Sequence, residues 1–286
     1  MYINIIDYRG DEQVANSLGE TLFQYRTRYF VKQQEDFALW KKHGHKFVCF
    51  TQHPNDTHFD GFDEVIPIAR GTCDQSRNAV LKHYANTDWK WMGMWDNDST
   101  LYWDKMNTHL VPQELDNICA LADEKNIAAW VPFNPQQSPY PDVVLDEWTF
   151  LPTIHLKGSM TFIHNEQQYY DDSFAWHGGD VRYAIQLTKK YKKCAILEQA
   201  SLNELVRGKS TVFKINAYHE QYKNPGANAN PYGLLKWDST IARKERLKEH
   251  DKHLKATTGL TIGEWGHKQR CLWSPETKYF DLFEEI

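Results

Sequence analysis

Asp96-Asn97-Asp98 ends a run of apolar and aromatic residues, Trp89-Lys90-Trp91-Met92-Gly93-Met94-Trp95. Two carboxylates at i and i+2 just past a strand can converge on one hard cation. Mg²⁺ and Mn²⁺ are commonly held by one or two carboxylates together with substrate phosphates. The same three residues also suit a plain turn, because Asx side chains hydrogen-bond their own backbone. A second group is His177-Gly178-Gly179-Asp180. Its glycines permit close approach of a ligand to the backbone. Asp180 then opens a helix, where the N-terminal dipole favours negative charge. It reads as a base or as a cap.

Two further groups carry charge or imidazole. In Gly71-Thr72-Cys73-Asp74-Gln75-Ser76-Arg77-Asn78-Ala79-Val80-Leu81, Arg77 is suited to a phosphate or a nucleobase edge, or is a solvated helix arginine. In the polar stretch around residues 216–230, His219 with Lys223 and Asn224 could add imidazole ligation and phosphate neutralisation. Trp176 and Trp148 are candidates to line an acceptor pocket, and equally candidates for core.

These residues need a frame. Residues 2–7 read as a first strand, 45–51 as a second, 63–69 as a third, 89–96 as a fourth and 127–133 as another. Between them, residues 9–44 read as helical with a stop at Gly44, and 73–85 as a helix with Asp74 at its N-cap. Residues 111–126, 180–193 and 240–256 complete the helices, and the Pro-rich stretch 133–144 and the Gly/Asn/Pro-rich stretch 219–233 are loops. Alternating strands and helices predict an α/β fold, a largely parallel sheet layered between helices. In such sheets ligands bind beyond the carboxyl ends of strands, and Asp96 sits at one.

The 286 residues suffice for one large α/β domain. No transmembrane helix, signal peptide, G-x-G-x-x-G or Walker loop is legible. Five scattered cysteines fit reduced thiols in a cytoplasm rather than a disulfide framework or a zinc site. The net charge of −5 is uneven: residues 181–286 carry 19 Lys+Arg against 12 Asp+Glu, leaving 14 against 26 for the first 180. A basic rear third suits a polyanionic partner, or is a solvated helix face.

In order, the motifs resemble the GT-A nucleotide-sugar glycosyltransferases. That family places an S/A-R-N-x-x-L helix before an apolar strand ending in D-x-D. A G-G turn, a W-G-G-E-D segment opening a helix and a downstream His follow. Here these read Ser76-Arg77-Asn78-Ala79-Val80-Leu81, Trp95-Asp96-Asn97-Asp98, Lys157-Gly158-Ser159-Met160, Trp176-His177-Gly178-Gly179-Asp180 and His219. The likeness is nearest to the inverting β-galactosyltransferase-like branch. It covers residues 1–235 as a GT-A domain, with a basic helical C-terminal extension at 236–286. Two departures stand out: Gly179 replaces the family's acceptor-contacting Glu, and Gly158-Ser159 replaces its Gly-Gly pair.

The resemblance implies transfer of a sugar from a nucleoside-diphosphate sugar, commonly a UDP-sugar, to an acceptor hydroxyl. Asp98 and His219 would ligate Mn²⁺ or Mg²⁺, with Asp96 at the ribose or the metal and Asn216 as a third candidate ligand. Asp180 would be the base. Arg9, Asp74, Arg77 and Lys223 would contact the nucleotide sugar, and Trp176, Gly179 and Trp148 the acceptor. A cytoplasmic enzyme with a basic rear third is similar to bacteriophage enzymes that glycosylate 5-hydroxymethylcytosine in DNA. A glycan or lipid-linked saccharide is the competing acceptor, and an inactive GT-A scaffold acting as a binding module is the competing class.

Overall fold

The structure is a computed structural model that describes residues 1–7, 15, 19–69, 71, 73–97, 99–103, 108–109, 112, 114–133, 148, 150–152, 156, 160–171, 179–190, 193–204, 252 and 256. In chain order the elements begin with β1 (Tyr2–Asp7) and α1 (Leu22–Arg26), which runs through a π-helical turn (Thr27–Val31) into α2 (Lys32–Gln34). Then come α3 (Phe37–Lys42), β2 (Lys46–Thr51), β3 (Glu64–Pro67), α4 (Cys73–His83), β4 (Trp91–Asp96), β5 (Ser99–Trp103) and β6 (Thr108–His109). The rest are α5 (Glu114–Glu124), β7 (Ile127–Phe133), β8 (Phe150–Pro152), β9 (Met160–His164), α6 (Gly179–Lys190) and β10 (Lys193–Glu204).

The strands among the described residues join one sheet in the order β3-β2-β1-β4-β9-β7-β10-β5-β6, with β8 paired to β10. β3, β2, β1 and β4 pair in parallel. β9 runs against β4 and β7, so β7 and its parallel neighbour β10 return to the first direction. The central sheet is therefore mixed and mostly parallel. β5 and β8 oppose β10 at the far side.

The alternation along each strand divides the core in two. Phe47 and Cys49 of β2 and Trp91 and Trp95 of β4 join a core with Phe30, Phe37 and Trp40 and with Leu115, Ile118 and Ala122 of α5. Val48, Phe50, Met92 and Met94 face the other way, onto Val80 and Leu81 of α4, Tyr84 just after it, and Tyr183, Ala184 and Leu187 of α6. Helices thus cover both faces, which is why the strands read as nearly continuous apolar runs. Much of the aromatic excess is core: Trp130 stacks on Phe162 at 4.0 Å between centroids, and Trp95 meets Phe162 edge-on. Gly93 has a place in this packing, because a Cβ there would lie 2.9 Å from Trp95 Nε1.

The expected helix over 9–44 is interrupted. Gly19 has φ +72°, and Thr21 then starts α1 with a capping box closed by Gln24. Gly44, at φ +83°, ends the helical run as expected. The strands β5, β6, β8, β9 and β10 had no sequence expectation. Of the C-terminal extension at 236–286, only Lys252 and Ala256, both helical, lie among the described residues.

Candidate active site

The chain winds outward from β1 to β2 and β3, then returns through α4 to β4 on the other side of β1. The crevice beyond the carboxyl ends of β1 and β4 is the topological switch point, where sheets of this kind bind ligands. Asp7 ends β1, Asp96 ends β4, and Ile6 is in register with Asp96.

The turn after β4 is held from beneath. Gln33 donates from one amide nitrogen to the carbonyls of Asp96 at 2.7 Å and Ser99 at 2.6 Å. Asn97 donates to Asp7 Oδ1 at 2.8 Å. Asp7 also accepts a bidentate pair from Arg26, both bonds 2.9 Å, and the Thr51 hydroxyl at 2.7 Å. Arg26, almost wholly buried, pairs through Nε with Asp56, which in turn holds the His58 ring. Burial alone would raise the Asp56 carboxyl, but the His58 backbone N–H, Arg26 and the His58 side chain outweigh it and hold it below its ordinary value. Sequence reasoning missed this scaffold. Its members lie up to 90 residues apart along the chain, and the one local signal was an Asp ending a strand.

A second charge cluster joins α4 to α6. Arg77 donates to Asp180 Oδ1 at 2.8 Å and lies 3.5 Å from Asp74. Arg182 approaches Asp74 at 3.4 Å and donates to the Asp171 carbonyl at 3.2 Å. Asp74 is therefore not the N-cap expected of it: α4 begins at Cys73, and Asp74 is buried in its first turn. Burial pushes its carboxyl up to about 7, because Arg77 and Arg182 do not offset the desolvation and Asp180 and Asp171 add to it. Arg77 is not a solvated helix arginine but is sealed inside, only 4% exposed.

The Ser76-Arg77-Asn78 motif anchors a separate segment through each residue. Gln52 donates to Ser76 Oγ at 2.9 Å, Arg77 holds Asp180, and Asn78 bonds both the N–H and the carbonyl of Tyr170. Cys73, at the start of α4, feels the charges of Arg77, Asp96, Asp74 and Asp180 together. The strand-end carboxylate and the α6 carboxylate thus both act electrostatically on the Cys73 thiol. Burial and the neighbouring carboxylates push the Cys73 thiol up to about 12.

Of the residues expected at the site, Asp74, Arg77 and Asp180 come together through ion pairs, and Asp96 ends β4 at the switch point. Gly179 opens α6 just before Asp180. Trp148 packs, partly buried, against the core on the α5 side of the sheet. Arg9, Asp98, Trp176, Asn216, His219 and Lys223 lie outside the described residues. No group of three or more His, Cys, Asp or Glu suited to a metal forms among the described residues. Arg26 neutralises Asp7, and Asp96, buried at the end of β4, is a hard oxygen donor of the kind that divalent cations take.

No family model matches the chain, and no curated protein does. Among solved structures it is similar to S. aureus TarS residues 1–349, at 10% identity and a TM-score of 0.43, covering 95% of this chain and 77% of that one. Mannosyltransferase PcManGT from Pyrobaculum calidifontis, in complex with GDP-Man and Mn²⁺, is 12% identical over 80% of this chain and 66% of its own, with a TM-score of 0.44. GalNAc-T7 with UDP, GalNAc and Mn²⁺ is 9% identical over 92% of this chain and 55% of its own, with a TM-score of 0.46. Likeness at this level carries no activity over to this chain. No helix among the described residues is long and apolar enough to cross a membrane.

Proposed function

We propose that the chain is a metal-dependent glycosyltransferase, moving a sugar from a nucleoside-diphosphate sugar, a UDP-sugar in the first instance, to an acceptor hydroxyl with inversion. The observation that supports this most is the Arg77–Asp180 pair at 2.8 Å, which ties the start of α6 to α4, with Asp96 ending β4 at the β1/β4 switch point. Asp98 and His219 would hold Mn²⁺ or Mg²⁺ with Asp96, and Asn216 is a further candidate. The cation supplies Lewis-acid stabilisation of the diphosphate leaving group.

The remaining steps belong to side chains. Arg9 and Lys223 bind the nucleotide and its diphosphate. The acceptor oxygen bonds to the anomeric carbon as the bond from that carbon to the diphosphate oxygen breaks, with its electron pair leaving on the diphosphate. Asp180 takes the acceptor proton. Attack from the side opposite the leaving group inverts the anomeric carbon. Trp176 and Gly179 precede that carboxylate in the chain and contact the acceptor. Gly179 stands where the family that the motifs resemble carries its acceptor-contacting Glu, which favours an acceptor other than that family's sugar.

For the acceptor we favour 5-hydroxymethylcytosine in DNA, on the strength of the basic stretches Thr188-Lys189-Lys190-Tyr191-Lys192-Lys193 and Arg243-Lys244-Glu245-Arg246-Leu247-Lys248 in the rear third. A base presented to Asp180 would have to leave the stack. The test is incubation with Mn²⁺, a nucleotide-sugar panel and either hydroxymethylated or plain DNA, followed by mass spectrometry of the nucleosides. The expected result is a gain of one sugar mass on hydroxymethylcytosine alone. Diphosphate release from a donor with no mass gain on DNA overturns the acceptor and points to a glycan or lipid-linked saccharide. Donor binding without release from any donor makes the chain a binding module.

A further inference from the structure

We infer that Arg77 is a positioning residue for Asp180, fixing one carboxylate oxygen from the buried side and so setting the direction in which the carboxylate meets the acceptor hydroxyl. The inference rests on the reading of Asp180 as base. It departs from the expectation that Arg77 contacts the nucleotide.

Burial supplies the first argument. The Arg77 side chain is 5% exposed and that of Asp180 is 26% exposed, so the guanidinium reaches its partner from inside while the carboxylate stands at the rim. An arginine this sealed, 2.8 Å from one carboxylate and 3.5 Å from another, has little surface left for a nucleotide. Its planar fork suits a fixed carboxylate geometry.

The second argument is that Arg77 is itself held by the elements it joins. Its guanidinium lies 5.3 Å from the Tyr170 ring centroid. Tyr170 is clamped at N–H and carbonyl by Asn78, the next residue of α4, and its ring stacks at 3.9 Å on Tyr183 of α6. Arg182 of α6 returns to Asp74 of α4. Four links therefore tie the first turns of α4 and α6: Arg77 to Asp180, Asn78 to Tyr170, Tyr170 to Tyr183, and Arg182 to Asp74. Around the pair stand Cys73, Asp74, Asp171, Arg182, Tyr170 and Tyr183. Tilting α6 would move the Asp180 carboxylate, and Arg77 is the link that acts on it directly.

The experiment compares wild type, Arg77→Ala, Arg77→Lys, Asp180→Asn and the Arg77→Ala/Asp180→Asn double variant. Turnover is read as UDP release from UDP-glucose, UDP-galactose and UDP-N-acetylglucosamine with Mn²⁺, and donor affinity by calorimetry. Arg77→Ala is expected to lower kcat by about 100-fold, the scale of an ångström's misplacement, with donor Kd and KM unchanged. Millimolar guanidinium and the Arg77→Lys variant should each restore part of kcat, and neither remedy should act once Asp180 is Asn. The double variant should be no slower than Asp180→Asn, because the two residues act as a unit. A loss of donor affinity with kcat intact makes Arg77 a nucleotide ligand and overturns the inference. So does a double-variant loss equal to the product of the single losses. Wild-type turnover in Asp180→Asn is a different result: it removes the base reading itself. If Arg77→Ala does not fold, Arg77→Lys carries the same comparison.

Discussion

Two buried arginine–carboxylate clusters lie near the carboxyl edge of this sheet, and they are built in opposite ways. Around Asp7 every bond is short: two from Arg26, one from Thr51 and one from Asn97, all 2.7–2.9 Å. Around Asp74 the nearest arginine nitrogens stand at 3.4 and 3.5 Å, and two further carboxylates crowd in. Both clusters pair opposite charges, yet Asp56 in the first is held below its ordinary value and Asp74 in the second is driven up to about 7. Desolvation raises both carboxyls; the His58 backbone N–H, Arg26 and the His58 side chain outweigh it at Asp56, whereas Arg77 and Arg182, at 3.5 and 3.4 Å, do not outweigh it at Asp74. The first cluster is a pedestal for the turn that carries Asp96. The second spans two helices, and its outermost carboxylate is the one to which we assign chemistry.

The largest effect should follow from breaking the pedestal. Arg26→Met leaves the buried Asp7 and the partly buried Asp56 without their cation, and removing one partner of a buried pair costs about 3–5 kcal/mol. Urea denaturation should show that loss; a change below about 1 kcal/mol would mean that the Asp7 network is not structural. Next is Asp180→Asn, expected to lower turnover by about 10²–10⁴-fold with donor binding intact. If calorimetry instead finds donor binding lost, Asp180 is part of the donor site and not the base.

Gln33→Leu should act more gently. It strips one donor from two carbonyls of the Asp96 turn, at about 1–3 kcal/mol, and should weaken donor affinity more than kcat. An unchanged donor Kd would separate that turn from the donor site.

The smallest effect is a pH signature of opposite sign in the two clusters. Asp74 has a folded value above its unfolded one. Its contribution to stability is intact below about pH 4 and is lost as pH rises through about 7. Asp56, depressed in the folded protein, contributes above about pH 4 and loses that contribution as pH falls through its lowered value. Asp74→Asn should therefore gain stability relative to wild type between pH 5 and 8, while the deficit of Asp56→Asn should shrink only in stronger acid. Parallel pH curves for the two variants would contradict the contrast.

Much of the frame was legible. β1, β2, β4 and β7 announce themselves because burial on both faces leaves apolar runs, and Gly44 ended its helix as read. β10 was hidden because Glu198, Gln199, Ser201 and Asn203 dilute its second half, and β9 because five residues are too short for a period. At the site, the order of the motifs brought Asp96, Arg77 and Asp180 into view. What Arg77 does was not legible, since its partner is 103 residues away and only packing decides between a nucleotide and a carboxylate. Asp7, Arg26 and Gln33 were invisible for the same reason. Polar residues inside apolar surroundings acquire meaning only from tertiary partners.

The central claim is that the paired aspartates after β4 and the carboxylate opening α6 form one glycosyl-transfer site. Release of UDP from a UDP-sugar panel, with Mn²⁺ and then with EDTA, tests it most directly when wild type is run beside Asp98→Asn and Asp180→Asn. The account predicts Mn²⁺-dependent release by wild type and its loss in EDTA and in both variants. Release that persists undiminished in EDTA and in Asp98→Asn would contradict it.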